Sequence, residues 1–152
     1  MTVNLDRRQV LKTSLGAAAA AAFIGSTGPT QAANDSADLI KTFTGGKTPA
    51  EGKVKIDMPE IAENGNTVPM TIVVDSPMTE QSYVKDVLVV ADGNPRAGVV
   101  TFHFSPASGV AEANTRIRLA KSQTITAVAR MNDGSLFTAS KDVKVTIGGC
   151  GG

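Results

Sequence analysis

Tryptophan is absent, aromatic residues make up 4% of the chain, and cysteine and histidine occur once each. Each scarcity closes off a class of function. One cysteine makes no intramolecular disulfide, and one cysteine with one histidine cannot assemble a structural zinc site. Charge of one sign is lacking too: 15 Lys and Arg stand against 14 Asp and Glu, a formal net charge of +1. That balance makes no electrostatic case for nucleic acid or an anionic membrane surface. No G-x-S-x-G, H-E-x-x-H or phosphate-cradling glycine loop occurs, and the carboxylates are scattered without an obvious pair. The expectation is a chain that is not an enzyme and takes no cofactor or metal.

Long hydrophobic runs are missing as well. The main apolar stretch, in "TSLGAAAAAAFIGS", spans about 13 residues, and a membrane span needs about 20. It follows "DRRQVLK" and precedes the small and polar residues of "TGPTQAAN", the order of a cleaved secretory signal. Arg7 and Arg8, with Leu11 and Lys12 behind them, match the twin-arginine export signal, which carries folded cargo; Val10 stands where phenylalanine is commoner. Cleavage after Ala32 satisfies the small-residue rule, so residues 1–32 read as signal peptide. Losing Arg7, Arg8, Lys12 and Asp6 leaves 12 basic and 13 acidic side chains. The mature chain is expected in the periplasm, unanchored. Export in the folded state suits a chain that must first pair with a partner subunit.

The remaining residues are enough for one domain with its own core. Asn34, Asp35 and Ser36 offer helix caps, Leu39, Ile40 and Phe43 recur at helical spacing, and Gly45 and Gly46 stop a short helix. Beyond them the apolar period is two. Met70, Ile72 and Val74 alternate with Thr71, Val73 and Asp75, and Val100, Phe102 and Phe104 with Thr101, His103 and Ser105. Ile117 and Leu119 share a face, as do Ile125, Ala127, Ala129 and Met131, and Val143, Val145 and Ile147. Such alternation marks strands with one core face. Glycine turns at "ENGN" (63–66), "DGNP" (92–95) and "NDGS" (132–135) separate them, with Asp133-Gly134 the best hairpin signal. About seven strands at this spacing predict an all-β, immunoglobulin-like antiparallel sandwich over residues 33–147, preceded by a short helix.

His103 falls on the non-core face of its strand, where a lone histidine is ordinarily solvated or part of an interface. The chain's one thiol is placed oddly: "IGGCGG" sets Cys150 between Gly148-Gly149 and Gly151-Gly152, at the carboxyl terminus. A structural cysteine is normally buried, and these neighbours offer nothing to bury it. Gly148, Gly149, Gly151 and Gly152 predict a flexible, thin arm over 148–152 that can carry a sulfur into a narrow cleft of another protein. No basic residue adjoins the thiol, so its reactivity is that of an ordinary cysteine, with a pKa of about 8.5. A Cys–His enzyme using His103 would need the two held within hydrogen-bond reach. A prenyl anchor would need C-a-a-X, which C-G-G is not.

The leader, "MPEIAENGNTVPMTI" (58–72) and the terminal "GGCGG" together resemble the SoxY family, sulfur-substrate carriers of bacterial periplasmic thiosulfate oxidation. The resemblance covers essentially the whole mature chain. It implies that sulfur intermediates are held covalently on Cys150. It also implies a heterodimer with a SoxZ-like subunit and transient contact with a SoxAX-like haem protein, a SoxB-like hydrolase and, in some systems, a sulfur dehydrogenase. The alternative is an immunoglobulin-like periplasmic binding or structural subunit whose Cys150 forms an intermolecular disulfide.

Overall fold

Alternation builds the expected strands, and the sheets then close around their apolar faces. The computed structural model describes residues 34–149. Helix α1 (Ser36–Thr44) leads into β1 (Ala50–Glu51), β2 (Val54–Asp57), β3 (Ile61–Asn64), β4 (Val68–Val74), β5 (Val84–Ala91) and β6 (Gly98–His103). A 3-10 turn (Pro106–Ser108) precedes β7 (Ala111–Ile117), β8 (Gln123–Met131) and β9 (Leu136–Ile147). One sheet has the order β1-β9-β8-β5-β6, with β3 also on β9; the other is β2-β4-β7. The two pack face to face in an all-β, immunoglobulin-like sandwich.

The core is the set of residues that the period of two selects. Val68, Met70, Ile72 and Val74 of β4 meet Val87 and Val89 of β5 and Ile125, Ala127 and Ala129 of β8. Ile72, Val87, Val89 and Ile125 are wholly buried. The hairpin at Asp133-Gly134 forms as expected: Gly134 has φ +83°, and β8 and β9 pair from Arg130–Leu136 back to Gln123–Val143. Ile147 departs from its assigned face, being 65% exposed while Val143 is buried.

Three features lie beyond the expected seven strands. β1 and β3 are short, and both pair parallel to β9, along the edge that β8 leaves free. β5 is apolar on both faces, because α1 lies over its outer side: Leu39, Ile40 and Phe43 pack on Leu88, Val90 and Ala97. The helix start also differs in detail. Asn34 Oδ1 accepts from Ser36 N–H at 2.9 Å, while Asp35 turns its carboxylate to Ala97 N–H at 3.0 Å and so pins the helix to the sheet. Gly45, in the left-handed conformation, ends it as expected.

Ile72→Ala should therefore cost about 2–5 kcal/mol of unfolding free energy, whereas truncation at the exposed Val110 should change it by less than about 0.5 kcal/mol. Urea denaturation of the two variants checks this.

Candidate functional site

The tail of the sequence leaves the sandwich at the end of β9, and three backbones meet there. β3 runs parallel to β9 with Asn64 opposite Ile147. Its hydrogen bonding then continues one residue further, where Gly65 N–H donates to Ile147 O at 2.8 Å. Gly65 O accepts from Leu119 N–H at 2.8 Å, and Leu119 O accepts from Gly149 N–H at 2.9 Å. The three bonds tie residues 147–149, the 63–66 turn and the 118–120 segment into one clasp. Each such bond contributes a net of about 0.5–1.5 kcal/mol.

The approach is too close for side chains. A Cβ on Gly65 would sit 2.2 Å from Leu119 O and 2.6 Å from Gly149 N. On Gly148 it would meet Ala120 O at 2.2 Å, and on Gly149 it would meet Gly65 O at 2.7 Å. Gly149 is buried, and Gly148 is exposed. Of the three glycine turns in the sequence, only Gly134 takes a positive φ. Gly65 is a glycine because backbones touch there, and Gly93 because a Cβ would lie 2.7 Å from that of Gln123.

A second layer braces the clasp. Asn94 Oδ1 accepts from Ala120 N–H at 2.9 Å, and Asn94 Nδ2 donates to Arg118 O at 2.9 Å. Gln123, nearly buried, donates to Asn94 Oδ1 at 2.9 Å and accepts from Gly93 N–H at 2.8 Å. Ser122 Oγ accepts from Val145 N–H at 2.9 Å. The segment holding Gly149 is thus itself held from two sides.

The arm glycines expected to give flexibility divide at this point. Gly149 has its amide bonded to Leu119 O and Gly148 lies against Ala120 O, so close approach accounts for the missing side chains there. Cys150, Gly151 and Gly152 lie outside the described residues, as does the expected signal peptide.

His103 stands on the outer face of β6, its side chain 75% exposed, opposite Asp86 of β5. Its Nδ1–H donates to Asp86 Oδ1 at 2.6 Å. Arg130 of β8 donates to Asp86 Oδ2 through Nε at 3.0 Å and through a second guanidinium nitrogen. The ring of Phe43 from α1 lies 4.7 Å from the guanidinium. Burial pushes the Asp86 carboxyl up, but the hydrogen bonds and charges of Arg130 and His103 outweigh it, and the net shift is downward. Composition and periodicity did not reveal this group, since Asp86 and Arg130 are 44 residues apart. The one signal was an acidic residue inside the valine-rich run "VKDVLVVA". An aspartate does orient an imidazole for base catalysis in hydrolases. Here Asp86 is opposite His103, whereas Ala91, at the other end of β5, adjoins the turn that braces the clasp. Five residues of strand separate them by about 16 Å. The pair is a fixed polar anchor between helix and sheet, remote from the root of the tail. Among the described residues no three His, Cys, Asp or Glu side chains converge as metal ligands, and no helix is long and apolar enough to cross a membrane.

The sheets and their connections place the chain in the class of immunoglobulin-like β-sandwich proteins. That class is shared widely. The superoxide reductase (neelaredoxin) from Ignicoccus hospitalis is similar with a TM-score of 0.55 at 20% identity, over 62% of this chain and 80% of that one. The superoxide reductase from Nanoarchaeum equitans gives 0.54 at 12%, over 63% and 100%. These two likenesses show the fold alone. The sulfur carrier protein SoxY from Chlorobium limicola f thiosulfatophilum gives a TM-score of 0.60 at 31% identity, over 73% of this chain and 96% of that one. The model of the family described as sulfur oxidation protein SoxY matches residues 40–150, ending on the cysteine. The chain belongs to the SoxY family. At the level of the family its role is that of a SoxY-type sulfur carrier and not of an enzyme. Residues 4–23 match the signal sequence of the twin-arginine translocation pathway, which supports export to the periplasm. A comparison with curated proteins found no match.

The Asp86 group supplies a pH test. A carboxyl held below its ordinary value stabilises the fold fully above the unfolded-state pKa of about 4 and loses that contribution as pH falls through the lower folded value. Asp86→Asn should cost about 1–3 kcal/mol at pH 7. In urea titrations the gap to wild type should stay constant down to about pH 5 and narrow below about pH 4.

Proposed function

We propose that Cys150 is the covalent attachment site for sulfur intermediates of thiosulfate oxidation, and that residues 33–147 are the platform from which it is presented to partner enzymes. Cleavage after Ala32 releases that platform in the periplasm. One observation carries the reading: a chain of the SoxY family has a single cysteine, and the family match runs to it. Every sulfur attached through a thiol must be attached there.

The chemistry follows from what the thiol can and cannot do. Joining thiosulfate to a thiol forms a sulfur–sulfur bond and releases one proton and two electrons, so an external oxidant is required. A SoxAX-like haem protein takes those electrons. Water then cleaves the outer sulfonate as sulfate, the work of a SoxB-like hydrolase, leaving a persulfide on Cys150. A sulfur dehydrogenase, where present, oxidises that remaining sulfur. None of these steps draws a catalytic group from the chain itself. Gly148, Gly149, Gly151 and Gly152 keep the carrier arm thin enough to enter each partner's cleft. Ile61, Val110 and Ile147 are large apolar side chains left exposed, and a SoxZ-like subunit joined before folded export completes the assembly.

Cys150→Ser should abolish sulfur loading while leaving the unfolding midpoint unchanged; loading that persists in the variant refutes the assignment. Intact-mass measurement under non-reducing conditions, on protein taken from the periplasm, separates the carrier from a disulfide-linked structural subunit. Masses increased by sulfur, sulfonate or thiosulfonate are expected. A uniform disulfide dimer would favour the structural subunit.

A further inference from the structure

We propose that Arg96 and Arg118 form a binding site for a small sulfur oxyanion, of the class of thiosulfate and sulfate, on the body of the sandwich. That an anion binds is read from the geometry; that it is a sulfur oxyanion rests on the carrier reading and deepens it. The two arginines line one cavity of about 190 Å³ with Asn94, Gly98 and Val99. Such a volume falls below the about 300–1,000 Å³ of pockets for drug-sized ligands and suits a small ion. Among the described residues neither arginine is in an ion pair, since the ion pairs fall on Asp86 instead. The carboxylates of this region are engaged with main chain: Asp92 accepts from Thr124 N–H at 2.9 Å, and Asp35 from Ala97 N–H at 3.0 Å. Other cavities differ. Those beside Glu51 and beside Glu60 and Asp142 contain carboxylates, and the one beside Thr71 and Asn114 has Arg116 alone.

Both guanidinium groups stay charged at any working pH, and each is a planar fork of N–H donors that matches the oxygens of an oxyanion. Like charges facing one space repel, and a bound dianion reverses the sign of that energy. Thiosulfate and sulfate are dianions with oxygens enough for both forks, whereas acetate carries a single charge and chloride has no oxygen edge to offer. The mature chain is nearly neutral, so the pair is a local excess of charge and not part of a general one. The backbone fixes both positions. Asn94 Nδ2 donates to Arg118 O and Asn94 Oδ1 accepts from Ala120 N–H, each at 2.9 Å, while Asn34 Nδ2 donates to Asn94 O at 2.8 Å. With Ala97 held by Asp35, the chain is pinned on both sides of Arg96. The arginines themselves are exposed, so binding must order two long side chains, and millimolar affinity is expected.

The test titrates the exported chain, carrying Cys150→Ser and joined to its accompanying subunit, with sodium thiosulfate, sulfate, acetate or chloride at constant ionic strength. The arginine Nε–H signals are followed by NMR. Those of Arg96 and Arg118 should shift together and saturate at millimolar thiosulfate or sulfate, with acetate and chloride at least tenfold weaker. Arg96→Gln and Arg118→Gln should each weaken thiosulfate about tenfold, the loss of hydrogen bonding from one charged group, while Arg116→Gln leaves it within twofold. All three replace exposed side chains, so their unfolding midpoints should match that of the parent. Shifts that never saturate, that Arg116 shows equally, or that acetate and chloride reproduce at the same concentration overturn the site. Absence of anion binding, with the accompanying subunit lost from Arg96→Gln, assigns the pair to a protein contact and likewise overturns it. A wild-type chain that takes up no sulfur overturns the carrier reading, and with it thiosulfate as the natural ligand, while the titration still decides whether the anion site exists.

Discussion

Three peptide backbones can share hydrogen bonds at one point only if no Cβ stands between them. This constraint governs the end of the sandwich where the tail departs. Gly65, Gly148 and Gly149 satisfy it together, and a methyl group at any one of them would intrude within 2.7 Å of another main-chain atom. The rest of the local structure serves the same contact. β3 exists to bring Gly65 beside Ile147, and its parallel pairing with β9 is what sets the register. The bracing by Asn94 and Gln123 keeps the 118–120 segment in place, and all the buried side-chain polar atoms among the described residues find partners. A buried polar group that is hydrogen-bonded stiffens a structure, and one left unpaired weakens it. Here the bracing bonds gather around the 118–120 segment, beside the end of β9.

The opposite face of the large sheet raises a different problem. The three-stranded sheet packs on the inner face only, and the outer side of β5 in the six-stranded sheet carries Leu88 and Val90, which water would penalise at about 25 cal/mol per Å² of apolar surface. α1 solves it by laying Leu39, Ile40 and Phe43 there. Two polar attachments then fix the helix, Asp35 to the Ala97 amide and Phe43 over Arg130. Arg130 in turn neutralises Asp86, so a carboxylate that would be costly in an apolar strand becomes a link between layers. His103 completes that carboxylate's hydrogen bonding from the open side. A histidine that invites a catalytic reading in the sequence is thus accounted for by the helix–sheet junction.

Much of this was legible in the residues, and the failures have physical causes. β4 and β8 read cleanly because one face meets the core and the other meets water. β5 did not alternate because a helix covers its second face, which local periodicity cannot report. β1 and β3 went unread because two to four residues are too few to show a period, and their pairing is parallel to a strand more than eighty residues away. Gly65 and Gly93 do sit in turns, but sequence cannot distinguish a turn glycine that needs a positive φ from one that needs bare contact. The clasp is legible only in three dimensions, although its two ends, "ENGN" and "GGCGG", were the same segments that carried the family resemblance.

A carrier thiol faces contradictory demands, and the arrangement meets them by dividing the labour. On the proposed reading, the sulfur must be inert in an oxidising compartment yet react within several enzymes. Activation built into the chain, such as an adjacent base or cation, would expose a nucleophilic thiolate to every oxidant it met. In sequence the nearest basic residue is Lys144, in β9, and the one histidine is engaged with Asp86. Reactivity then has to come from the partner, and what the carrier can contribute is geometry. On the proposed reading, chemical restraint at Cys150 leaves selectivity to the partner that admits the thiol rather than to the thiol's own reactivity.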